Sequence, residues 1–138
     1  MLTTRDKAGK VYGLTMNAVS CVCLDPPLFL ACVDKGSATL APLKESGVFA
    51  LNILALDQDK ISNTFASKGE DKFATVATET GLLGVPLISG ALAAAEFRVS
   101  QAVEAGDHVV VIGEAVSSRT EDKAPLLYFR GKYGALKA

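Results

Sequence analysis

Residues 15–27 read T-M-N-A-V-S-C-V-C-L-D-P-P, and every later inference about the chain depends on this stretch. It mixes strand-forming residues such as Val19 and Val22 with a cluster of small polar ones, Thr15, Asn17 and Ser20. A strand built only for packing has no use for that cluster. Small hydroxyl and amide side chains leave backbone N–H groups approachable and can hydrogen-bond a polar ring or a phosphate. Pro26 and Pro27 cannot donate to a ladder, so Asp25-Pro26-Pro27 breaks it. The stretch therefore predicts a long extended segment over 11–24, interrupted near Asn17 where the polar groups gather.

Working outward, residues 1–5 predict a short extended piece and residues 6–10 a polar turn around Gly9. Residues 28–33 predict a strand with apolar residues on both faces. A short helix is expected over 37–46, capped by Ser37, with Leu40 and Leu43 on one face and Gly47 closing it. Residues 48–53 predict another strand that is apolar on both faces. A second helix is expected over 57–67, with Ile61 and Phe65 as its buried stripe. Residues 68–84 predict a long excursion with one further helical turn. Strands are expected over 91–103 and 108–116, joined by a hairpin turn at 104–107. A polar loop over 117–125 and a last strand over 126–130 follow. Together these elements predict a mainly β chain, a closed or nearly closed antiparallel barrel with two short helices.

In 108–116, Val109, Val111 and Ala115 share one face, and Val110, Ile112 and Val116 share the other. A barrel strand facing water would be polar on one side. The outside is therefore expected to be covered as well, in part by the helices and in part by a second copy in a homodimer.

Composition excludes several functions. The chain has 138 residues, 49% of them apolar, and a net charge of −1, which fits one domain with a real core and no basic stripe for nucleic acid. No apolar run is long enough for a membrane span. Residues 1–10 lack a basic region followed by an apolar core, so no secretory signal is read and the expected location is the cytoplasm. Cys21, Cys23 and Cys32 lie in apolar surroundings and are expected to be buried reduced thiols, with Cys21 and Cys23 on the same strand face. With one histidine in the chain, no metal site is expected.

That histidine, His108, follows Asp107 at the head of an apolar strand. It reads either as a turn residue bonded to nearby backbone or as a rim residue that bonds a ligand. There is no G-x-S-x-G, no phosphate-binding G-x-x-x-x-G-K loop and no strand-to-helix G-x-G-x-x-G. What remains is chemistry that a cofactor performs and the protein positions, with hydride transfer to a flavin as the clearest instance. Thr15, Asn17 and Ser20 could serve the ring. Ser37 and Thr39, at the start of a helix, could serve a phosphate, although Ser37 is equally a plain cap.

The order of motifs narrows the choice. G-L-T-M-N-A-V-S-C-V-C-L-D-P-P-L, C-V-D-K-G-S-A-T, F-A-L-N-I-L and F-A-S-K, followed by G-V-P-L-I-S-G-A-L-A, G-D-H-V-V-V-I-G-E-A-V and P-L-L-Y-F-R-G-K-Y, resemble the flavin reductase-like family over residues 2–136. The resemblance implies an FMN-binding split barrel, homodimeric, that reduces FMN or FAD with NADH or NADPH and releases reduced flavin to a partner oxygenase. Under it, Thr15, Asn17, Ala18, Val19, Ser20 and Cys21 would line the flavin ring and ribityl chain. Asp34, Lys35, Ser37, Ala38 and Thr39 would hold the phosphate side, with Asn52 supporting that wall and Phe65 and Ala66 near the flavin tail. His108 would lie by the nicotinamide pocket, with Arg130 and Tyr133 at the same mouth.

The chain departs from the family's usual pattern at Ala18, Cys21 and Cys23, where serines are common. Family members also carry a further helix before the position of Met1, and this single domain, residues 1–138, is expected to lack it. The alternatives are a non-catalytic flavin-binding electron carrier or sensor on the same barrel, and a dimeric interaction domain without cofactor.

Overall fold

The computed structural model describes residues 1–69 and 71–137. Glu70, within the expected excursion, and Ala138, the last residue of the expected domain, lie outside the described residues. Strands β1 (Leu2–Arg5), β2 (Val11–Leu14), β3 (Val19–Leu24), β4 (Pro27–Asp34), β5 (Val48–Ile53), β8 (Ala93–Ala105) and β9 (His108–Thr120) form one antiparallel sheet. Its order is β2-β1-β5-β8-β9-β4-β3. The two edge strands, β2 and β3, are consecutive in sequence and separated only by residues 15–18. Laid flat, seven strands would put those edges about 29 Å apart at ordinary strand spacing. From Leu14 to Val19 the chain can reach at most about 18 Å. The sheet must therefore curl until its edges approach, which makes a barrel closed by a covalent linker rather than by a hydrogen-bonded ladder.

Helix α2 (Asp59–Ala66) covers the seam. Thr15 N donates to Phe65 O at 3.3 Å, and Thr15 Oγ1 donates to Ser62 O at 2.6 Å. The Phe65 ring presses on β2 at Gly13, where an added Cβ would lie 2.8 Å from it. Phe65 also joins Leu54, Val76, Ile88 and Ala91 in a core at that end of the barrel.

The main core is built from Leu2, Ala31, Val33, Leu43, Leu51, Val109 and Val111 around Phe49 and Phe97. Those two rings stack at 4.9 Å and 13°. Gly113 on β9 makes the stack possible, since a Cβ there would sit 2.6 Å from Phe49 and 2.8 Å from Phe97. Helix α1 (Leu40–Ser46) closes with Gly47 in the left-handed region at φ 68°, as expected.

The expected two-faced burial of β5 is found, with its physical cause. Phe49 and Leu51 face the main core. Val48 and Ala50 face Leu83, Val85 and Leu87, which the hairpin of β6 (Thr78–Thr80) and β7 (Pro86–Ile88) lays over the outside of the sheet. Polar ties fix this cover. Glu96, on the outer face beside Ala50, accepts from Leu82 N at 2.9 Å, Leu83 N at 2.7 Å and Ser117 Oγ at 2.6 Å. Asn52 accepts from Ile88 N at 2.9 Å and donates to Thr3 Oγ1 at 3.1 Å. Among the described residues no buried side-chain polar atom lacks a partner.

Several expectations need correction. Helix α1 begins three residues later than expected. Ser37 does not cap it; its hydroxyl accepts from Thr39 N at 3.2 Å in the preceding turn. The excursion contains β6 and the turn Gly81-Leu82-Leu83-Gly84, with Gly84 at φ 74°, that leads into β7 just beyond it, pairing Thr78↔Ile88 and Thr80↔Pro86. Residues 117–120, expected as loop, continue β9 because β8 extends opposite them. The last expected strand is a hairpin, β10 (Leu127–Phe129) and β11 (Lys132–Gly134), turning at Arg130 and Gly131 with φ of 50° and 78°. Two positive φ values in a row match the tight turns that suit strand twist.

The cysteines are not buried small hydrophobes either. Cys21 is exposed, and Cys23 and Cys32 are half-buried, all three as free thiols. A bulge between Cys21 and Cys23 breaks the simple alternation that placed them on one face.

Gly113→Val should overpack the aromatic stack and destabilise the fold by about 1–3 kcal/mol. A urea titration checks it, with a lower midpoint at unchanged slope as the expected result. An unchanged midpoint would mean that the Phe49–Phe97 stack yields without cost.

Candidate functional site

The linker across the seam alternates in direction, and that alternation builds the site. Leu14, Met16 and Val19 pack against the main core. Thr15 is tied to α2 as described, so its hydroxyl proton is already used and it anchors the linker. Asn17 and Ala18 point outward and are exposed. Val19 N donates to Asn17 O at 2.9 Å, a three-residue turn centred on Ala18, and Cys32 N donates to Ala18 O at 2.9 Å. The carbonyls of Asn17 and Ala18 are thus occupied by the protein. Among the described residues, the backbone N–H groups of Asn17 and Ala18 and the Asn17 side-chain amide have no intramolecular partner. The result is an exposed row of donors on a linker anchored through Thr15, Met16 and Val19. Such a row fits a flat heteroaromatic ring carrying acceptors along one edge.

Ser20 and Cys21 follow on β3, both exposed but on opposite faces of the strand, with Ser20 Oγ donating to the Cys21 carbonyl at 3.1 Å. Ala66 ends α2 beside the linker and is exposed. Asn52, expected to support the wall of the site, and Phe65, expected near the ligand's tail, both have interior side chains. Asn52 is fully buried and its amide is spent on Thr3 and Ile88, so it holds strands together and offers nothing outward. Phe65 is 1% exposed, packed edge-on against Phe73, and contributes its carbonyl, which accepts from Thr15 N and from Lys72 Nζ at 3.2 Å.

At one end of the linker lies the loop after β4. Asp34 Oδ1 accepts from Gly36 N at 2.6 Å, and Ser37 N donates to Asp34 O at 3.0 Å. Lys35 N is fixed to Asp107 O at 2.9 Å, while its ammonium pairs with Glu104 at 2.6 Å. Lys44, on α1, reaches the other oxygen of the same carboxylate at 3.8 Å. The Lys35 hydrogen bond holds the Glu104 carboxyl below its ordinary range. Ala38 is exposed, whereas Thr39 is 4% exposed and faces inward.

His108 pairs in register with Asp34, and its Nδ1 lies 2.7 Å from Asp107 Oδ1. Its partner is the neighbouring carboxylate rather than backbone, and the His108 contact lowers the Asp107 carboxyl below its usual range.

At the other end of the linker, Tyr133 donates to Ser62 Oγ at 2.8 Å and so docks the C-terminal hairpin on α2. The hairpin borders a groove of about 680 Å³ lined by Leu127, Phe129, Arg130, Lys132 and Tyr133. Arg130 sits at the turn with its guanidinium 5.2 Å from the Phe129 ring centre. His108 and Tyr133 were expected at one mouth. Their contacts place them with different groups, His108 with Asp34 and Asp107, and Tyr133 with Ser62, and no hydrogen bond joins the two.

Two participants had no sequence signal. Ser62 receives the bonds of both Thr15 and Tyr133 and sits unremarked between Ile61 and Phe65. Glu104 read only as a turn residue. Among the described residues no cluster suited to a metal ion is found, and no helix is long and apolar enough to cross a membrane.

Comparison with known proteins matches this geometry. The chain is 41% identical over 137 residues to a flavin reductase (NADH) of Kitasatospora aureofaciens, covering 96% of this chain and 72% of that protein. It is 36% identical to the reductase component of a 4-nitrophenol 4-monooxygenase/4-nitrocatechol 2-monooxygenase of Rhodococcus opacus, covering 96% and 71%. The NADH:FAD oxidoreductase of Streptomyces globisporus, solved with NAD and FAD fragments, superposes with a TM-score of 0.93 at 30% identity, covering 99% of this chain and 82% of that one. The share of a relative's own length that the chain spans is as low as 43%, in a Rhizobium meliloti protein 40% identical to it. The family's sequence model, described as a flavin reductase like domain, matches residues 1–137. With a seam-closed antiparallel barrel, a donor-lined linker and this match, the chain belongs to the flavin reductase-like family.

Proposed function

We propose that this chain is the catalytic domain of an NAD(P)H:flavin oxidoreductase that reduces FMN or FAD and passes the reduced flavin to an oxygenase component. The observation that carries this reading is the row of free donors at Asn17 and Ala18, on a linker whose Asn17 and Ala18 carbonyls are bonded, whose Met16 and Val19 pack on the core and whose Thr15 is tied to α2. The names of the relatives point the same way, since two carry NADH and one is the reductase half of a monooxygenase.

When bound, the flavin supplies a ring that accepts hydride from nicotinamide. The protein's own residues bind and orient. The Asn17 and Ala18 N–H groups and the Asn17 amide hold the ring edge and stabilise negative charge that grows there. Val19, Ser20 and Cys21 continue from the linker and border the ring with Ala66, through backbone where their side chains turn inward. Lys35, Ser37 and Ala38 take the phosphate side, and the Tyr133–Ser62 pair with Arg130 borders the groove beyond. No protein nucleophile is needed, and alignment of the two reactants supplies most of the acceleration. His108 acts as a rim residue for the nicotinamide, oriented by Asp107.

A homodimer is part of this proposal. Val22, Leu24, Val103 and Val116 on the sheet and Phe129 on the hairpin are 39–89% exposed in the single chain. Exposed large apolar side chains on several strands are what a second copy would cover. The expected location is the cytoplasm, where reduced pyridine nucleotide and free thiols coexist.

Purified protein mixed with excess FMN or FAD should oxidise NADH or NADPH far faster than the flavin alone, followed by nicotinamide absorbance. A rate equal to the protein-free mixture would leave a non-catalytic flavin carrier as the better description. Asn17→Leu should weaken flavin binding by roughly three- to tenfold, the worth of one uncharged hydrogen bond. Fluorescence quenching reads that affinity, and wild-type affinity in the variant would place the ring elsewhere. Light scattering at micromolar concentration should give twice the chain mass, against which a monomeric value would count directly.

A further inference from the structure

Building on the flavin reading above, we propose that Glu104 is a specificity-determining residue that competes with the flavin phosphate for Lys35 and Lys44, and so keeps flavin a released substrate. Three carboxylates, Asp34, Glu104 and Asp107, surround the phosphate-side loop. Asp34 is turned to the Gly36 N–H and Asp107 to His108. Glu104 alone takes ammonium groups, one oxygen on Lys35 at 2.6 Å and the other toward Lys44 at 3.8 Å.

The backbone explains why this pairing is switchable. Lys35 N is pinned to Asp107 O, so the start of its side chain is fixed beside the β8–β9 turn. The ammonium at the far end of four rotatable bonds is 44% exposed by side chain and can turn from Glu104 to an arriving anion. Glu104 sits opposite Val109 on exposed β8 and is itself 60% exposed. It is tethered to the site and therefore always present at high effective concentration. A dianionic phosphate must displace it to gain the lysines. The exchange lowers affinity for flavins that carry phosphate and leaves the ring contacts at Asn17 and Ala18 untouched. A reductase that surrenders its product benefits from that weakening.

The test compares FMN with riboflavin, which has the same ring and no phosphate. Equilibrium fluorescence quenching at low ionic strength would be run on wild type, Glu104→Gln, Lys35→Gln and the double variant. Glu104→Gln should tighten FMN binding about threefold, the scale of an exposed ion pair, and leave riboflavin unchanged. The gain should shrink in the Lys35→Gln background, where only the longer Lys44 contact remains, and vanish in molar salt. An FMN affinity unchanged by Glu104→Gln, or an equal gain for riboflavin, would overturn the role of Glu104. Wild-type protein that binds neither FMN nor riboflavin would instead overturn the flavin reading itself. Circular dichroism of the four proteins guards against misfolding, and Glu104→Asp, which keeps the charge on a shorter arm, should give an FMN affinity between wild type and Glu104→Gln. A value outside that interval would also count against the competition.

Discussion

Strands β2 and β3 form opposite edges of a seven-stranded sheet, yet only residues 15–18 separate them. A tether that reaches about 18 Å cannot bridge a flat sheet about 29 Å wide, so curvature is enforced by chain connectivity. The same constraint leaves both edges without a ladder partner at the seam. Helix α2 resolves that exposure by accepting Thr15 N and Thr15 Oγ1 and by laying Phe65 on Gly13. Beyond the Cys32 N to Ala18 O bond the linker forms no ladder, and among the described residues the N–H groups of Asn17 and Ala18 have no partner. Closure and these free donors thus have one origin.

The remainder of the molecule stiffens this seam. Asn52 and Glu96 are buried polar groups whose hydrogen bonds are all spent within the chain, and they lock the β6–β7 hairpin over β5 and β8. Fully satisfied polar ties of this kind specify one arrangement, because any slip would strand a desolvated donor or acceptor. With the outside of β5 covered and the Phe49–Phe97 stack filling the inside, Met16 and Val19 find a firm surface to pack on. The linker's anchorage through Met16 and Val19 is inherited from that core.

Elements governed by local pattern could be read before the structure was known. The β5 strand over 48–53 coincides with its expectation, and Gly47 closes α1 as expected. The turn between β8 and β9 falls at Gly106 and Asp107 inside the expected hairpin. Misreadings arose where partners are remote in sequence. The β6 strand consists of Thr78, Glu79 and Thr80, all exposed, and becomes a strand only because β7 pairs with it. Polar residues 117–120 extend β9 because β8 offers a long enough partner, and Ser117 is bound by buried Glu96. Cys21 reads as a buried thiol beside Val22, but its strand is an edge with a bulge, which turns it to solvent.

The sequence by itself determined that the chain is mainly β with two helices, and the order of its motifs carried the family resemblance that the family model bears out. Alternation, turn residues and the lack of nucleophile or phosphate-loop motifs are local properties and survive without a fold. Tertiary structure alone decided which polar groups remain free. Thr15, Asn52 and Lys35 all look available in one dimension, yet Ser62, Thr3 and Glu104, between 47 and 69 residues away, already occupy them. Among the described residues the N–H groups of Asn17 and Ala18 stay without a partner, while the carbonyls of the same two residues are bonded and Met16 and Val19 pack on the core. Hydrogen-bonding capacity is a property of residue type, whereas its availability depends on three-dimensional neighbours.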